Sequence, residues 1–162
     1  MHIIHIASEM APLAKVGGLA DVLLGLPREQ SWKGHDVDII IPKYDCMDSD
    51  QIRDMSIDYS DLMSYYQGEW FHNTIWMGWV ENLKVYFIDS HHPRHFFDRG
   101  CFYGCEDDVE RYLYFSRTAL EFLYKKQSSI HTGGRIYSAR GLFFSSFPDS
   151  CSMSDEIKCN DR

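Results

Sequence analysis

Apolar and polar positions in the first forty residues alternate in blocks. His2-Ile3-Ile4-His5-Ile6-Ala7 is an apolar run of strand length, as in a strand buried within a parallel sheet. Leu19, Val22, Leu23 and Leu26 recur at helical spacing and predict a helix from Leu19 to about Lys33 with those residues as its apolar face. Pro27 inside this pattern predicts a kink or an early end near Leu26. Gly34 stands where a helix stop belongs. Val37 to Ile41 is a second apolar strand, ended by Pro42. Strand, helix and strand in this order form a βαβ unit with a right-handed crossover.

The middle of the chain has a different pattern. Tyr65 to Trp70, Asn73 to Val80 and Leu83 to Asp89 read as short strands rich in aromatic and β-branched residues. Gly68-Glu69 and Glu81-Asn82 supply turns, which predicts an antiparallel hairpin region added to the parallel sheet. Asp107 is placed to cap a helix from about Asp108 to Lys126. Its inward face is expected to be Val109, Tyr112, Leu113, Ala119, Leu120 and Leu123, with Glu110, Arg111, Arg117 and Lys125 toward water. After Gln127 the period is lost and the chain becomes serine-rich. The expected division is therefore a folded part over 1–127 and an atypical tail over 128–162, either disordered or aberrant.

Composition narrows the function classes. A hydrophobic content of 44% is that of a globular chain. The net charge of −8 argues against a nucleic-acid partner. The tail holds Arg135, Arg140, Lys158 and Arg162 against Asp149, Asp155, Glu156 and Asp161, so the whole negative balance falls on 1–127. No apolar stretch approaches the length of a membrane span. The first residues already read as a core strand, so no signal or transit peptide is visible. The five cysteines, Cys46, Cys101, Cys105, Cys151 and Cys159, are odd in number and irregular in spacing. They read as reduced thiols, and their spacing gives no support to a disulfide.

Candidate chemistry concentrates in one loop between the first strand and the first helix, Ser8 to Asp21, which carries Lys15, Gly17 and Gly18. The start of a helix behind such a loop presents unpaired N–H groups and partial positive charge. Lys15 adds a full charge. The ligand this predicts is a phosphate, specifically a nucleotide diphosphate. Neither the P-loop nor the dinucleotide fingerprint fits, because Lys15 precedes the glycines and the glycines are adjacent.

The full string Ser8-Glu9-Met10-Ala11-Pro12-Leu13-Ala14-Lys15-Val16-Gly17-Gly18-Leu19-Ala20-Asp21-Val22 resembles the N-terminal signature of bacterial glycogen synthases and plant starch synthases. Gly34 to Asp45 and Tyr103 to Tyr112 resemble later family segments. The runs Pro42 to Met47 and His92 to Phe97 look closer to plant starch synthases of the third and fourth classes. The resemblance covers Met1 to about Gln127. It implies an α/β fold, the Rossmann-like N-terminal domain of a glycosyltransferase-B fold, here incomplete and carrying an inserted antiparallel hairpin region. It also implies transfer of glucose from ADP-glucose to the non-reducing end of an α-1,4-glucan, with retention of anomeric configuration and no cofactor or metal. The implied partners are ADP-glucose and the glucan acceptor, with no nucleic acid and no membrane. The implied location is a plastid in a plant and the cytoplasm otherwise.

The residues expected to bind substrate are Lys15, Gly17, Gly18, Asp21 and Glu9. Lys15 would neutralise the diphosphate, and Gly17 and Gly18 would let the backbone approach it. By the resemblance, Asp21 would meet sugar hydroxyls and Glu9 would lie near the acceptor. No catalytic residue is assigned. Tyr44 and Asp45 end the second strand, where either cleft lining or turn chemistry fits them. Trp70, Phe71, Trp76, Trp79, Tyr86 and Phe87 are expected to pack in the core or between strands rather than to stack on sugar. His91, His92 and His95 lack the carboxylates of a metal site. Tyr103 and Glu106-Asp107-Asp108 could line the acceptor side. The family's His-x-His-Asp-Trp motif and C-terminal domain are not among these 162 residues. The chain by itself is therefore expected to have little transferase activity. The alternative is a non-catalytic, glucan-binding form that associates with a full-length synthase; a misread gene end is the third possibility.

Overall fold

The computed structural model describes residues 1–131. The element order is β1 (His2–Ile6), α1 (Gly18–Trp32), β2 (Asp36–Pro42), a short 3-10 turn (Ser49–Gln51), β3 (Arg53–Tyr66), β4 (Glu69–Val80), β5 (Leu83–Ser90) and α2 (Asp108–His131). They build one five-stranded sheet in the order β1-β2-β5-β4-β3. β1, β2 and β5 are parallel, whereas β4 and β3 run antiparallel. A βαβ start with an added hairpin is thus the observed architecture. The tail expected from Ser128 lies almost wholly outside the described residues.

Alternation along the buried strands divides the core. Ile39 and Ile41 of β2, with Val85 and Phe87 of β5, form one cluster with Leu23 of α1. Ile40, Tyr86 and Ile88 face the other way, into a cluster with Phe115, Ala119 and Phe122 of α2. Neighbouring residues of one strand serve opposite layers because strand side chains have a period of two.

The hairpins close on two-residue turns, with Tyr66 paired to Glu69 and Val80 to Leu83. Gln67 and Gly68, and likewise Glu81 and Asn82, all have positive φ. This is the turn geometry that matches the twist of the flanking strands. β3 begins at Arg53, twelve residues before the expected strand. Its sequence alternates Met55, Ile57 and Tyr59 with Asp54, Ser56 and Asp58. It is mostly exposed and its pairing shifts register three times, so no apolar run marks it.

Both helices bury only part of the face expected: Leu23 of α1 and Ala119, Tyr112 and Leu123 of α2 pack inward. On α1 the buried residues are Ala20, Leu23 and Pro27, whereas Leu19, Val22 and Leu26 are exposed. Only Leu23 of the predicted face is in the core, since the helix rests on the sheet through its smaller side chains. It also runs through Pro27 to Trp32 instead of ending near Leu26. On α2, Val109, Leu113 and Leu120 are exposed, while Arg111, Tyr114, Phe115, Thr118, Ala119 and Phe122 are buried. Arg111, expected in water, is completely buried because its guanidinium donates to the carbonyls of Phe96 (3.0 Å) and Phe102 (2.5 Å) and pairs with Asp108 (2.9 Å). The helix has turned an aromatic stripe, not its aliphatic one, onto Tyr44, Tyr86, Phe96 and Phe97.

Candidate nucleotide-binding loop

Loops from the carboxyl ends of β1, β2 and β5 converge on one spot, as ligand-binding loops do in parallel α/β sheets. The β1 loop is held from below by Met10, Ala11, Leu13 and Ala14, all buried. Met10 and Ala14 exchange backbone hydrogen bonds at 3.0 and 2.9 Å, and the Ala11 amide donates to the Ala20 carbonyl at 3.1 Å. This apolar stretch of the motif anchors the polar stretch that follows, a role not read from the sequence.

Lys15, Val16, Gly17 and Gly18 are exposed above that anchor. α1 starts at Gly18 behind the N-cap residue Gly17, which supplies no side-chain cap to the first turn. Lys15 Nζ pairs with Asp21 Oδ1 at 2.7 Å, both side chains more than half exposed. An exposed pair of this kind is worth about 0–1 kcal/mol, so a phosphate can compete for Lys15.

Glu9 does something the sequence did not show. It is 6% exposed. Its Oε2 accepts from the Val16 amide (2.9 Å) and the Gly17 amide (3.0 Å), and its Oε1 accepts from the Tyr103 hydroxyl (2.7 Å). Burial pushes the Glu9 carboxyl up, but these three donors outweigh it and hold its pKa below the ordinary 4.5. Glu9 therefore fixes the Val16-Gly17 peptide from inside the loop. A position close to an acceptor is compatible with that geometry, but every hydrogen bond seen on its carboxylate is internal.

A tyrosine cluster ties the three loops together. Ser8 Oγ lies 2.7 Å from Tyr103 Oη, Tyr44 donates to the Ser8 carbonyl at 2.8 Å, and Tyr44 and Tyr112 hydroxyls are 2.9 Å apart. Burial pushes the Tyr44 phenol far above its usual value, so it acts here as a neutral hydrogen-bonding group. Asp45 accepts from the Gly100 amide at 3.0 Å. Tyr44 thus belongs to the frame of these loops, and Asp45 ties the loop after β2 to the Phe97-Gly100 segment. Beside the loop, His5, Ser8, Leu19, Leu23, Tyr112 and Phe115 are among the residues lining a cleft of about 370 Å³.

The other candidates disperse. Tyr86 and Phe87 are core residues, but Trp70 is 63% exposed and lies against Tyr65, with ring centroids 5.2 Å apart; it is the member of the aromatic set that departs from core packing. Trp76 Nε1 donates to Asp89 (3.0 Å). His92 stacks on Phe96 at 4.1 Å, whereas His91 meets Thr74. Asp107 does not cap α2 through its carboxylate. That group is taken by Arg99 (2.6 Å) and Arg94 (2.8 Å), which hold its pKa down at about 2, Arg99 contributing most. Asp108 instead accepts the Gly104 (2.8 Å) and Cys105 (3.1 Å) amides. His2, Asp36 and Asp38 place three ligand-type atoms within 4.8 Å. Asp38 is nevertheless committed to Lys84 and Lys126, both at 3.1 Å, and to His2 at 2.8 Å. No helix among the described residues is long and apolar enough to cross a membrane.

The sheet is mixed, with the Lys15-Gly18 loop at the carboxyl edge of its three parallel strands, the edge where ligands bind in α/β folds. Comparison with known proteins agrees. A family model described as the starch synthase catalytic domain matches residues 2–135. The chain is 83% identical over 126 residues to a glycogen synthase of Protochlamydia amoebophila (strain UWE25), covering 78% of this chain and 25% of that protein. It is 52% identical over 134 residues to an Arabidopsis thaliana protein named "Probable starch synthase 4, chloroplastic/amyloplastic", covering 81% and 13%. A solved structure, the catalytic domain of starch synthase IV from Arabidopsis thaliana bound to ADP and acarbose, superposes with a TM-score of 0.76 at 52% identity, covering 78% of this chain and 26% of that one. The chain belongs to the starch synthase catalytic domain family. It spans about a quarter or less of the length of these relatives, and its fold is part of a glycosyltransferase-B architecture.

Proposed function

We propose that this protein serves in glucan synthesis, the transfer of glucose from ADP-glucose to the non-reducing end of an α-1,4-glucan. The observation that carries the reading is the exposed Lys15 ammonium beside the uncapped start of α1, on a loop locked by Glu9. In this reading Lys15 exchanges Asp21 for the donor's diphosphate and offsets the charge that develops as ADP departs. Gly17 and Gly18 allow the phosphates close to the backbone, since a Cβ at either would meet nothing within 4 Å and the surface there is open. Asp21, released from Lys15, is free to accept sugar hydroxyls. The solved relative's ADP and acarbose are the ligand classes this loop would meet.

A second reading, association with a full-length synthase, is favoured by the exposed apolar side chains Leu19, Val22 and Leu26 on α1 and Leu113 and Leu120 on α2.

The test is calorimetric titration of ADP into the chain and into Lys15→Ala. Loss of a charge-assisted phosphate contact predicts binding weaker by about tenfold or more. Equal affinities would remove Lys15 from the site.

A further inference from the structure

We propose that Cys101 and Cys105 form a thiol modification site that a disulfide oxidant such as oxidised glutathione converts to an intramolecular disulfide, and that this closure loosens the Lys15-Gly18 loop. The second half rests on the reading of that loop given above; the first does not.

The two sulfurs lie 3.4 Å apart in the reduced protein. Both cysteines are half-buried, so a small oxidant can reach them. The segment between them, Phe102-Tyr103-Gly104, is a bend in which Gly104 has a φ of 96°, a conformation glycine adopts without strain. The two thiols have different surroundings. Cys105 lies in hydrogen-bonding contact with the Arg99 guanidinium. Cys101 has its hydrogen-bonding neighbour in Cys105, which holds it protonated. The first attack is assigned to Cys105, whose sulfur lies beside the Arg99 cation. Its thiolate attacks one sulfur of oxidised glutathione, forming a mixed disulfide and expelling one glutathione thiolate. Cys101 sulfur then attacks Cys105 sulfur and expels the second. The two cysteine protons pass to the two departing thiolates, so one disulfide is reduced as another forms.

Tyr103 makes this site more than a local one. It sits midway between the cysteines and donates to Glu9 Oε1 at 2.7 Å, and Glu9 Oε2 holds the Val16 and Gly17 amides at 2.9 and 3.0 Å. Closing the sulfurs from 3.4 Å to a bond of about 2.05 Å is a movement of about 1.3 Å shared between the cysteine side chains and the backbone that carries Tyr103. The share that reaches the Tyr103 hydroxyl weakens its bond to Glu9. Glu9 then holds one of its three donors less tightly, and the loop loses part of its clamp. The other hydrogen-bonding neighbours of this segment are Arg111 and Tyr112 on the Phe102 carbonyl, Asp108 on the Gly104 and Cys105 amides, and Ser8 on the Tyr103 hydroxyl.

The experiment treats the 162-residue chain with oxidised glutathione, maps disulfides by peptide mass, and follows amide hydrogen exchange of Val16 and Gly17. The expected result is a Cys101–Cys105 link with a mass loss of about 2 Da and exchange at both amides faster by roughly fivefold or more. Cys101→Ser with Cys105→Ser should show neither. Tyr103→Phe should still form the link, but its loop exchange should be fast before oxidation and unchanged by it. A stable glutathione adduct, or a link to Cys46, Cys151 or Cys159, would overturn the modification site. A correct link with unchanged exchange at Val16 and Gly17 would overturn the coupling. Neither readout uses ADP, so failure of the nucleotide reading would appear separately as absent ADP binding in the reduced chain.

Discussion

Replacing Glu9 removes the carboxylate that holds the Val16-Gly17 stretch of the loop after β1. In Glu9→Ala the Val16 and Gly17 amides lose their acceptor and the Tyr103 hydroxyl keeps only Ser8 Oγ as a partner. Val16 and Gly17 are exposed, so water replaces the lost acceptor at both amides and the full burial penalty does not apply. At about 1 kcal/mol per hydrogen bond after rehydration, the expected destabilisation is about 3 kcal/mol. With a urea slope near 1.5 kcal/mol per molar, the midpoint should fall by about 2 M. Glu9→Gln separates charge from shape. Its carbonyl can still accept the two amides while its NH₂ donates to Tyr103, so about 1 kcal/mol should be lost. The contrast has a pH signature. The folded Glu9 pKa lies below 4.5, so its charge stabilises the fold fully above that value and ceases to as pH falls through the folded pKa. Wild type and Glu9→Gln should therefore converge in acid. The assay is urea unfolding followed by tryptophan fluorescence at neutral and acid pH. A loss below about 0.5 kcal/mol for Glu9→Ala, or a Glu9→Gln deficit that does not shrink in acid, would refute the clamp.

Other changes have equally definite signs. Asp21→Asn frees Lys15 from an exposed ion pair and should tighten ADP binding by up to about fivefold, measured by titration; weaker ADP binding would show that Asp21 does not compete for Lys15. Asp38→Asn leaves Lys84 and Lys126 without their shared carboxylate and should cost about 3 kcal/mol in urea unfolding. Burial pushes the Asp38 carboxyl up, but the Lys126 charge and the other bonds prevail and its pKa lies below 3.8. Its contribution should persist above that pH and disappear as pH falls through the folded value. Gly78→Ala would place a Cβ 2.4 Å from Ile52 Cγ2 and 3.3 Å from the Arg53 carbonyl oxygen, so a loss of about 1–3 kcal/mol is expected from overpacking at the β3–β4 pairing.

The legible parts of the fold were those with local causes. β2 and β5 carry long apolar runs because they are buried on both faces, whereas β1, expected to be buried, is an edge strand and partly exposed. The loop between β1 and α1 was legible as a string because its glycines and its position after a strand each have a physical meaning there. What the sequence hid was long-range. The rotation of α2 was misread because Arg111, polar by composition, finds two loop carbonyls that no local pattern announces. The buried side of α1 was misread because small Ala20, not large Leu19 or Leu26, sets the approach to the sheet. Glu9's grip on Val16 and Gly17 joins residues seven and eight apart, and Tyr103 reaches it from 94 positions away. The proximity of Cys101 and Cys105 depends on a bend at Gly104, which spacing alone does not specify.

The most direct test of the nucleotide-loop reading is the change in backbone amide shifts across Lys15–Ala20 when ADP is titrated into the chain, with adenosine in parallel. The account predicts that Gly18 and Leu19, at the uncapped start of α1, shift most with ADP and do not respond to adenosine. Shifts of equal size with adenosine, or ADP responses confined to residues outside this loop, would contradict it.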